Sequence, residues 1–181
     1  MEYRETITAK DGRTCLIRHG TAADGEGVLR NFVLNHAQTD FLTTYPDEVR
    51  FTVAQEEKYL QEKADSPDEA ELVAEVDGLI VGQAGIRALG RADKVKHRAT
   101  FGISIDIDWW HLGIGRALTK ACIELAKEAG YLQLELEAVA ENRRALALYE
   151  SEGFVEYGRN PRGFISRLTG WQTLVYMRRE L

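Results

Sequence analysis

The sequence has few of the residues that mark disulfide-rich, zinc-binding or membrane proteins. Its 181 residues include two cysteines, Cys15 and Cys122, which cannot form a disulfide framework and show no metal-ligand spacing. No apolar run approaches the roughly 18 residues that a membrane span needs. The first residues, MEYRETITAKDGR, are too polar for a signal peptide. We therefore predict a cytoplasmic protein with no metal site and no membrane partner.

Positive charge is also scarce. The chain has 23 Lys and Arg residues against 29 Asp and Glu, so its net charge is −6. Nucleic acids are bound through clustered Lys and Arg side chains that neutralise phosphates. The short basic run at residues 94–98 is too small to supply such a cluster. The composition therefore argues against a nucleic-acid partner.

The composition is otherwise that of an ordinary globular domain. Apolar residues make up 44% of the chain and charged residues 29%. A chain of 181 residues is long enough for one domain and short for two. We predict a single domain over residues 1–181, with Cys122 as a small core residue on the apolar stripe of a helix.

The order of predicted elements indicates a mixed α/β fold. The segment Thr52–Gln55 matches a helix capping box, and Asp77-Gly78 between two apolar runs predicts a hairpin. Apolar residues recur at helical spacing over residues 114–129. Residues 1–12 are expected to form a polar tail. The other predictions are strands at 13–18, 99–107, 132–139, 154–158 and 168–177, and helices at 23–37, 52–65 and 143–152.

Two glycines stand where a predicted strand leads into a helix. Gly113 and Gly115 permit close approach to the backbone, and a helix start carries unpaired N–H groups and partial positive charge. With Arg116 these features are typical of a phosphate site, although a tight turn without a ligand would have the same glycines. A dinucleotide fingerprint would need glycine in place of Leu118, and a Walker loop would need lysine in place of Arg116, so both are excluded.

The wider context of this turn resembles a known motif. The stretch ISIDIDWWHLGIGRALTKACIELAKEAG is similar to the acyl-CoA motif of the GNAT superfamily of N-acetyltransferases, in which a strand leads into [QR]-x-x-G-x-[GA]. These six positions are residues 110–115, and Trp110 departs from the motif's Gln or Arg. A second block at residues 141–154, ENRRALALYESEGF, resembles the family's N-x-x-A-x-x-L-Y-x-x-x-G-F. The chain looks like bacterial members that acetylate small amines, amino acids or the alanine of a ribosomal protein.

This resemblance implies a fold and an acyl donor. The fold would be a mixed, mostly antiparallel central sheet flanked by helices, with two splayed parallel strands forming the acyl-CoA cleft. The acyl-CoA core would span about residues 98–157, and the donor substrate would be acetyl-CoA, with no metal. The residues that the resemblance assigns to acetyl-CoA are Ile103, Ile105, Trp110, His111, Leu112, Gly113, Ile114, Gly115, Arg116, Asn142 and Ala145.

The resemblance also implies catalytic residues. Tyr149 matches the family's general acid, and a phenol with a reference pKa near 10 is protonated at neutral pH. Glu137 lies five residues before Asn142, the spacing of a glutamate base in the ribosomal-protein alanine N-acetyltransferases. Without the resemblance, Tyr149 would be a core tyrosine and Glu137 a solvated carboxylate, and a water relay is an alternative base. Asn142 predicts a helix N-cap, and in the family it also binds the pantetheine arm.

We therefore predict acetyl transfer from acetyl-CoA to a primary amine, by direct attack in a ternary complex. The acceptor, a small molecule or a peptide, should be selected by residues 24–65 and 159–175. The candidate wall residues are Phe41, Tyr45, Asp47, Glu48 and Trp171. The alternatives are a non-catalytic acyl-CoA-binding regulatory domain, acetylation of a protein N-terminus, and a structural α/β domain without a nucleotide site. Dimers are common in the family, so the resemblance is also compatible with a homodimer.

Overall fold

The computed structural model describes residues 2–181, which form four α-helices and eight β-strands. The helices are α1 (Gly25–Gln38), α2 (Val53–Ala64), α3 (Ile114–Glu128) and α4 (Arg143–Ser151). The strands are β1 (Arg4–Thr8), β2 (Thr14–His19), β3 (Ala70–Val76), β4 (Leu79–Ala88), β5 (Arg98–Ile105), β6 (Gln133–Val139), β7 (Val155–Ser166) and β8 (Gly170–Glu180). Within residues 2–181, none of the helices has the length and apolar character needed to span a membrane.

The eight strands of residues 2–181 belong to one sheet, in the order β1-β2-β3-β4-β5-β6-β8-β7. Neighbouring strands are antiparallel except β5 and β6, which are parallel and are connected through α3. Parallel neighbours need a crossover of this kind because a tight turn cannot join them. The mixed, mostly antiparallel sheet flanked by helices confirms the predicted fold class.

Two helix layers cover opposite faces of the sheet. On β3, Leu72 and Ala74 belong to the apolar cluster that includes the buried side of α3, whereas Val73 packs with Val28 of α1 and Leu60 of α2. Alternate residues of a strand face opposite sides of a sheet. The α1–α2 pair and α3 therefore lie on opposite faces, and the larger core is on the α3 side.

The turns and caps follow the signals in the sequence. Asp77 and Gly78, with φ of 50° and 79°, join β3 to β4 in a two-residue turn that needs positive φ at both positions. The Gln55 N–H donates to the Thr52 side chain at the start of α2, as a capping box requires. Gly130 follows α3 with φ of 82°, which ends the helix where the apolar stripe ends.

The prediction of a polar tail at residues 1–12 is wrong. Arg4–Thr8 form β1, an edge strand that pairs antiparallel with β2. Four of the five residues of β1 are exposed, and Ile7 is the one that packs partly against the core. An edge strand with a single apolar residue shows no alternation in the sequence, so its pairing partner rather than its own pattern specifies it.

The closing hairpin is longer than the sequence predicts. The predicted strand at 154–158 is only the first part of β7, whereas the predicted strand at 168–177 includes part of the turn and most of β8. The pairing of β7 skips from Asn160 to Phe164, and this irregularity accommodates Pro161, which has no N–H to donate. Because β7 is the outermost strand on its side of the sheet, a proline is tolerated there.

Candidate active site

Strands β5 and β6 diverge and leave a gap in the sheet. They pair over three positions, residues 98–100 opposite 133–135, although β5 continues to Ile105 and β6 to Val139. The predicted splayed parallel strands are therefore confirmed. Beyond the last paired position the facing edges of both strands are free to bind a ligand.

The gap exposes main-chain groups of β5. The Asp106 N–H donates to the Val81 carbonyl on the β4 side at 3.0 Å. Because the backbone groups of successive strand residues point to alternate sides, those of Ile103 and Ile105 point toward β6. The Ile105 carbonyl accepts a hydrogen bond from Trp110 Nε1 at 2.7 Å. The N–H groups of Ile103 and Ile105 lie beyond the β5–β6 pairing, where an extended ligand could accept from them.

The start of α3 has the geometry of an anion site. Gly113, the residue before the helix, has φ of 93°, no side chain caps the helix, and its first turn holds no acidic residue. Gly115 is closely packed, since a Cβ there would lie 3.2 Å from Ile105 Cδ1 and 3.5 Å from Leu148 Cδ2. His111 also has a positive φ, of 65°. The first N–H groups of α3 therefore have no competing side-chain acceptor.

Leu112 and Ile114, on either side of Gly113, direct their side chains into contact with the apolar core. Ile114 is fully buried in the core, and Leu112 packs against it. The Leu112 carbonyl accepts a hydrogen bond from the Lys10 N–H at 3.0 Å. This bond ties the loop before α3 to the turn after β1, so these two predicted site residues could contribute main-chain groups only.

Basic side chains surround the loop before α3. Arg116 forms an ion pair with Glu152 at 3.2 Å. The Arg144 guanidinium lies over the Trp110 ring, 3.3 Å from its centroid, and Arg144 Nη1 is 3.4 Å from His111 Nε2. A cation over an aromatic face is attracted by the ring's quadrupole, so Trp110 holds a guanidinium next to the start of α3.

A first cavity of about 260 Å³ lies among the starts of α3 and α4 and the end of β5. It brings together ten of the thirteen predicted site residues. These are Ile103, Ile105, Trp110, His111, Gly113, Gly115, Arg116, Asn142, Ala145 and Tyr149. Its wall also includes polar and aromatic residues that the sequence analysis did not single out, among them Lys10, Asn35, Ser104, Trp109 and Arg144.

A second cavity of about 570 Å³ is bounded by β4, β5, β6 and the β7–β8 hairpin. Glu137, the predicted base, lies in its wall. The residues common to both cavities are Phe41, Leu42, Ile103, Asn142 and Tyr149. The two cavities therefore meet at the gap between β5 and β6. Of the candidate acceptor-wall residues, Phe41 lines both cavities, whereas Tyr45, Asp47, Glu48 and Trp171 line neither.

Tyr149 is packed against two aromatic rings where the cavities meet. Its side chain is 8% exposed and packs edge-on against Phe101 and Phe154, each with its ring centroid 6.0 Å away. Burial raises the pKa of Tyr149 to about 12 because it disfavours the phenolate. The phenol is therefore protonated at neutral pH and can donate a proton or a hydrogen bond.

Asn142 is the N-cap of α4, as predicted. Its Oδ1 accepts a hydrogen bond from the Ala145 N–H at 3.3 Å. This leaves the Nδ2 group of the same carboxamide to donate into the cavities that Asn142 lines. The predicted cap and a ligand contact are therefore compatible in one side chain.

The two glutamates of β6 have different surroundings. Glu135 is buried and accepts a hydrogen bond from Arg98 Nη2 at 2.8 Å, and the bonds from Arg98 lower the pKa of this carboxyl. Glu137 is exposed, lines the second cavity and lies opposite Tyr176 on β8. Across residues 2–181, no three or more His, Cys, Asp and Glu side chains are grouped to hold a metal ion.

Asn35 and Ser104 are site residues that were not predicted, although the spacing of amide side chains on α1 could have indicated Asn35. Asn31, Asn35 and Gln38 recur at helical spacing, so α1 turns a row of carboxamides toward the sheet. Asn35 is 2% exposed, and its Nδ2 donates to Asn31 Oδ1 and to Ser104 Oγ, both at 3.0 Å. Gln38 Nε2 donates to Asp106 Oδ1 at 2.8 Å. This row of amides connects α1 to the end of β5 beside the gap.

Comparison with known proteins identifies relatives of the chain. Residues 31–154 match the model of the acetyltransferase (GNAT) family. The chain is 29% identical over 140 residues to the L-amino acid N-acetyltransferase AaaT of Escherichia coli, covering 77% of this chain and 82% of that protein. It is 45% identical over 56 residues to the [ribosomal protein bS18]-alanine N-acetyltransferase of E. coli, covering 31% of this chain and 38% of that protein.

A solved structure of similar fold comes from Streptococcus pneumoniae. It is an acetyltransferase of the GNAT family, 27% identical in sequence, with a TM-score of 0.86. The alignment covers 92% of this chain and 99% of that one. The fold match therefore extends well beyond the two motif blocks at residues 98–157.

Proposed function

The chain belongs to the GNAT acetyltransferase family, and on that basis we propose that it transfers an acetyl group from acetyl-CoA to a primary amine by direct attack in a ternary complex. The observation that carries this proposal is the meeting of the two cavities at the β5–β6 gap, with Tyr149 in the wall of both. A donor in the first cavity and an acceptor in the second would be held face to face there.

The start of α3 and its basic surroundings suit the pyrophosphate of acetyl-CoA. Its uncapped N–H groups can donate to phosphate oxygens, and Arg116 and Arg144 supply positive charge. The free main-chain groups of Ile103 suit an amide of the pantetheine arm, as a further strand would, and the Ile105 N–H, whose carbonyl is occupied by Trp110 Nε1, suits the acetyl carbonyl oxygen. Asn142 Nδ2 could donate to a carbonyl of the same arm. These assignments extend the family resemblance to side chains that line the first cavity.

The reaction needs one acid and one base. The neutral amine attacks the thioester carbonyl, and the oxyanion that forms accepts a hydrogen bond from the Ile105 N–H. The carbon–sulfur bond then breaks, and Tyr149 donates its phenolic proton to the leaving sulfur. The nitrogen gives its proton to Glu137 or to a water beside it, and that proton returns to Tyr149 through solvent. The products are the acetylated amine and free CoA.

The demand on the base depends on the amine. An α-amine with a pKa of about 8 costs roughly 1.4 kcal/mol to deprotonate at pH 7, whereas a lysine side chain costs over about 4 kcal/mol. Glu137 is an exposed carboxylate on the wall of the second cavity. Because an α-amine costs less to deprotonate, we propose an α-amine rather than a lysine amine as the acceptor.

The relatives favour two kinds of acceptor. The relative that aligns with most of the chain is named as an L-amino acid N-acetyltransferase, which supports a free amino acid or another small amine. The shorter match is named for the alanine of a ribosomal protein, and it supports a protein N-terminus as the second candidate. Because that match spans 38% of the ribosomal enzyme, we propose the small amine first.

The proposal is tested by binding and turnover of the wild-type chain and of Tyr149→Phe. Calorimetry with acetyl-CoA, with pantetheine as the control ligand, should give micromolar binding that weakens sharply without the pyrophosphate. Thiol release should then depend on added amine. We expect Tyr149→Phe to lower kcat by about 10²-fold or more, with the acetyl-CoA affinity within twofold, because phenylalanine keeps the aromatic packing.

Tyr131→Phe is the matched control. Tyr131 is also buried, at 5% exposed, but it lines neither cavity, so its loss of a hydroxyl should leave kcat unchanged. Unchanged turnover in Tyr149→Phe would remove this residue from the mechanism. Binding of acetyl-CoA without turnover on any amine would favour the non-catalytic domain, and no binding at millimolar acetyl-CoA would reject both.

A further inference from the structure

Two distant segments are joined by hydrogen bonds to one carboxylate. Asp40 lies in the segment between α1 and α2, and its Oδ2 accepts from Ser166 Oγ at 2.6 Å, from Gln172 Nε2 at 3.0 Å and from Thr169 Oγ1 at 3.2 Å. Tyr45 Oη donates to the other oxygen, Oδ1, at 3.2 Å. We name these five residues the Asp40 network. It ties the α1–α2 segment to the turn between β7 and β8.

The network has a buried centre and a surface edge, since Asp40 and Tyr45 are half-buried and Thr169 is exposed. Ser166 and Gln172 are 8% and 5% exposed. Gln172 Nε2 also donates to the Asp40 carbonyl at 3.1 Å, and the Arg167 N–H donates to Tyr45 Oη at 2.8 Å. Hydrogen bonds to an ionised carboxylate are stronger than neutral ones, and removing the acceptor would leave buried donors unpaired.

The position of the network gives it a functional consequence. Phe41 and Leu42 follow Asp40 directly and line both cavities. Phe164 and Leu174, from the two strands of the hairpin that the network holds, line the second cavity. The two tied segments therefore place four apolar side chains on the wall of the second cavity, beside the meeting point with the first.

We propose that the Asp40 network positions this apolar wall, so that the acceptor is a primary amine carrying an apolar group. The inference rests on the proposed function, since the second cavity is the acceptor site only if the chain acetylates amines. Asp40 is a positioning residue because it acts through Phe41 and Leu42. Asp40 keeps Phe41 and Leu42 at a fixed distance from the β7–β8 hairpin, and the apolar group of the acceptor occupies the space between them.

The test compares Asp40→Asn with Arg167→Gln, using L-leucine and glycine as acceptors. Arg167 links the same two segments through exposed ion pairs with Asp47 and Glu48, and its side chain donates no bond to Asp40. We expect the wild type to favour L-leucine over glycine at least tenfold in kcat/KM. Asp40→Asn should lose that preference through a higher leucine KM, with the acetyl-CoA KM within twofold. Arg167→Gln should keep the preference.

Three results would overturn the proposal. Equal use of glycine and L-leucine by the wild type would reject the apolar acceptor class. A preserved preference in Asp40→Asn would reject the positioning role. An equal loss in Arg167→Gln would assign the effect to any link between the segments. Ser166→Ala, which removes one donor and keeps the charge, repeats the comparison if Asp40→Asn does not fold.

Amide exchange tests the network without an enzyme assay. Asp40→Asn and Ser166→Ala should speed exchange at residues 41–45 and 167–170, while exchange in α3 stays as in the wild type. Unchanged exchange in both segments would show that the network does not hold the wall. If the wild type releases no CoA with either amine, the acceptor class is rejected, and the exchange result still decides whether Asp40 positions the segments.

Discussion

Trp110 stands where the family motif has Gln or Arg, and the surrounding residues account for the exchange. Its indole N–H caps the Ile105 carbonyl at 2.7 Å, and its ring face carries the Arg144 guanidinium at 3.3 Å. The side chain that the motif would place before the glycines is thus replaced by an aromatic platform and an arginine from α4. Positive charge next to the start of α3 is retained.

Replacing Arg144 should therefore weaken donor binding. We expect Arg144→Ala to raise the acetyl-CoA Kd by about 5- to 30-fold, which corresponds to about 1–2 kcal/mol for a cation held over a ring and facing phosphate. Calorimetry at two salt concentrations should show a smaller salt dependence than in the wild type. Arg143→Ala is the control, because Arg143 is exposed and lines neither cavity. Equal losses in both variants would contradict the prediction.

The site residues that could be predicted are those that lie close together in the sequence. Residues 110–116 share one turn, and Asn142, Ala145 and Tyr149 share one face of a short helix, so their spacing is visible in the sequence. Lys10, in the turn between β1 and β2, and Asn35, in α1, also line the first cavity. Their positions depend on how the sheet is ordered, which local spacing does not record.

Helix α3 begins at a residue whose backbone only glycine adopts easily. Gly113 has φ of 93°, and a Cβ there would meet no atom within 4 Å. The cost of a side chain is therefore conformational rather than steric. The same is true of Gly130 at the other end of the helix, with φ of 82° and no atom within 4 Å. The two glycines differ in their position relative to the site: Gly113 lines the first cavity, whereas Gly130 lines neither cavity.

This pair separates stability from binding. We expect Gly113→Ala and Gly130→Ala each to lower the free energy of unfolding by about 1–2 kcal/mol, because alanine is strained at positive φ. Gly113→Ala should also weaken acetyl-CoA binding, since the strained turn would move the first N–H groups of α3. Chemical denaturation and calorimetry measure the two effects. A loss of affinity in Gly130→Ala as large as in Gly113→Ala would argue against a donor site at the start of α3.

Helices, strands and turns with a clear residue pattern of their own could be predicted from the sequence. Strands that form because a neighbouring strand supplies their hydrogen-bond partners could not. Helix α3 is visible in the sequence because its apolar residues recur at the helical period. The turn at Asp77-Gly78 is visible because Asp and Gly tolerate the positive φ angles that a two-residue hairpin turn needs. β1 has one inward apolar residue, and the second half of β7, beyond the predicted strand at 154–158, contains Pro161. Both are strands because β2 and β8 supply their hydrogen-bond partners. The cytoplasmic location and the homodimer stay predictions.

An ion-pair cluster joins parts of the chain that lie far apart in sequence. Arg18 on β2 donates two hydrogen bonds of 2.7 Å to Asp24 before α1, and another of 2.7 Å to Glu75 on β3. The side chains of Arg18 and Asp24 are 18% and 11% exposed. The bonds from Arg18 hold the pKa of Asp24 below its usual range. Asp24 therefore stabilises the folded chain as an anion.

The sign of the pH effect follows from that lowered pKa. The stabilisation is fully present above the unfolded pKa of about 3.9 and is lost as the pH falls through the folded value. We expect Asp24→Asn to lower the free energy of unfolding by about 2 kcal/mol at pH 7, and the difference from the wild type to shrink below about pH 4. Urea unfolding at pH 7 and pH 3 measures both.

Asp77→Asn is the control for charge alone. Asp77 is exposed in a turn where asparagine also tolerates positive φ, so this variant should match the wild type at both pH values. If Asp24→Asn differed from the wild type by the same amount at pH 3 as at pH 7, the carboxylate charge would not be the source of the stability.

The short pairing between β5 and β6 makes the sheet two blocks, one of five strands and one of three. Three paired positions join the blocks, the fewest for any neighbouring strands in residues 2–181, whereas seven join β4 to β5 and seven join β6 to β8. The seam in the sheet coincides with the route between the cavities. A slender molecule lying in that seam would supply the missing bonds of a ninth strand, so the continuity of the sheet would depend on the molecule it binds.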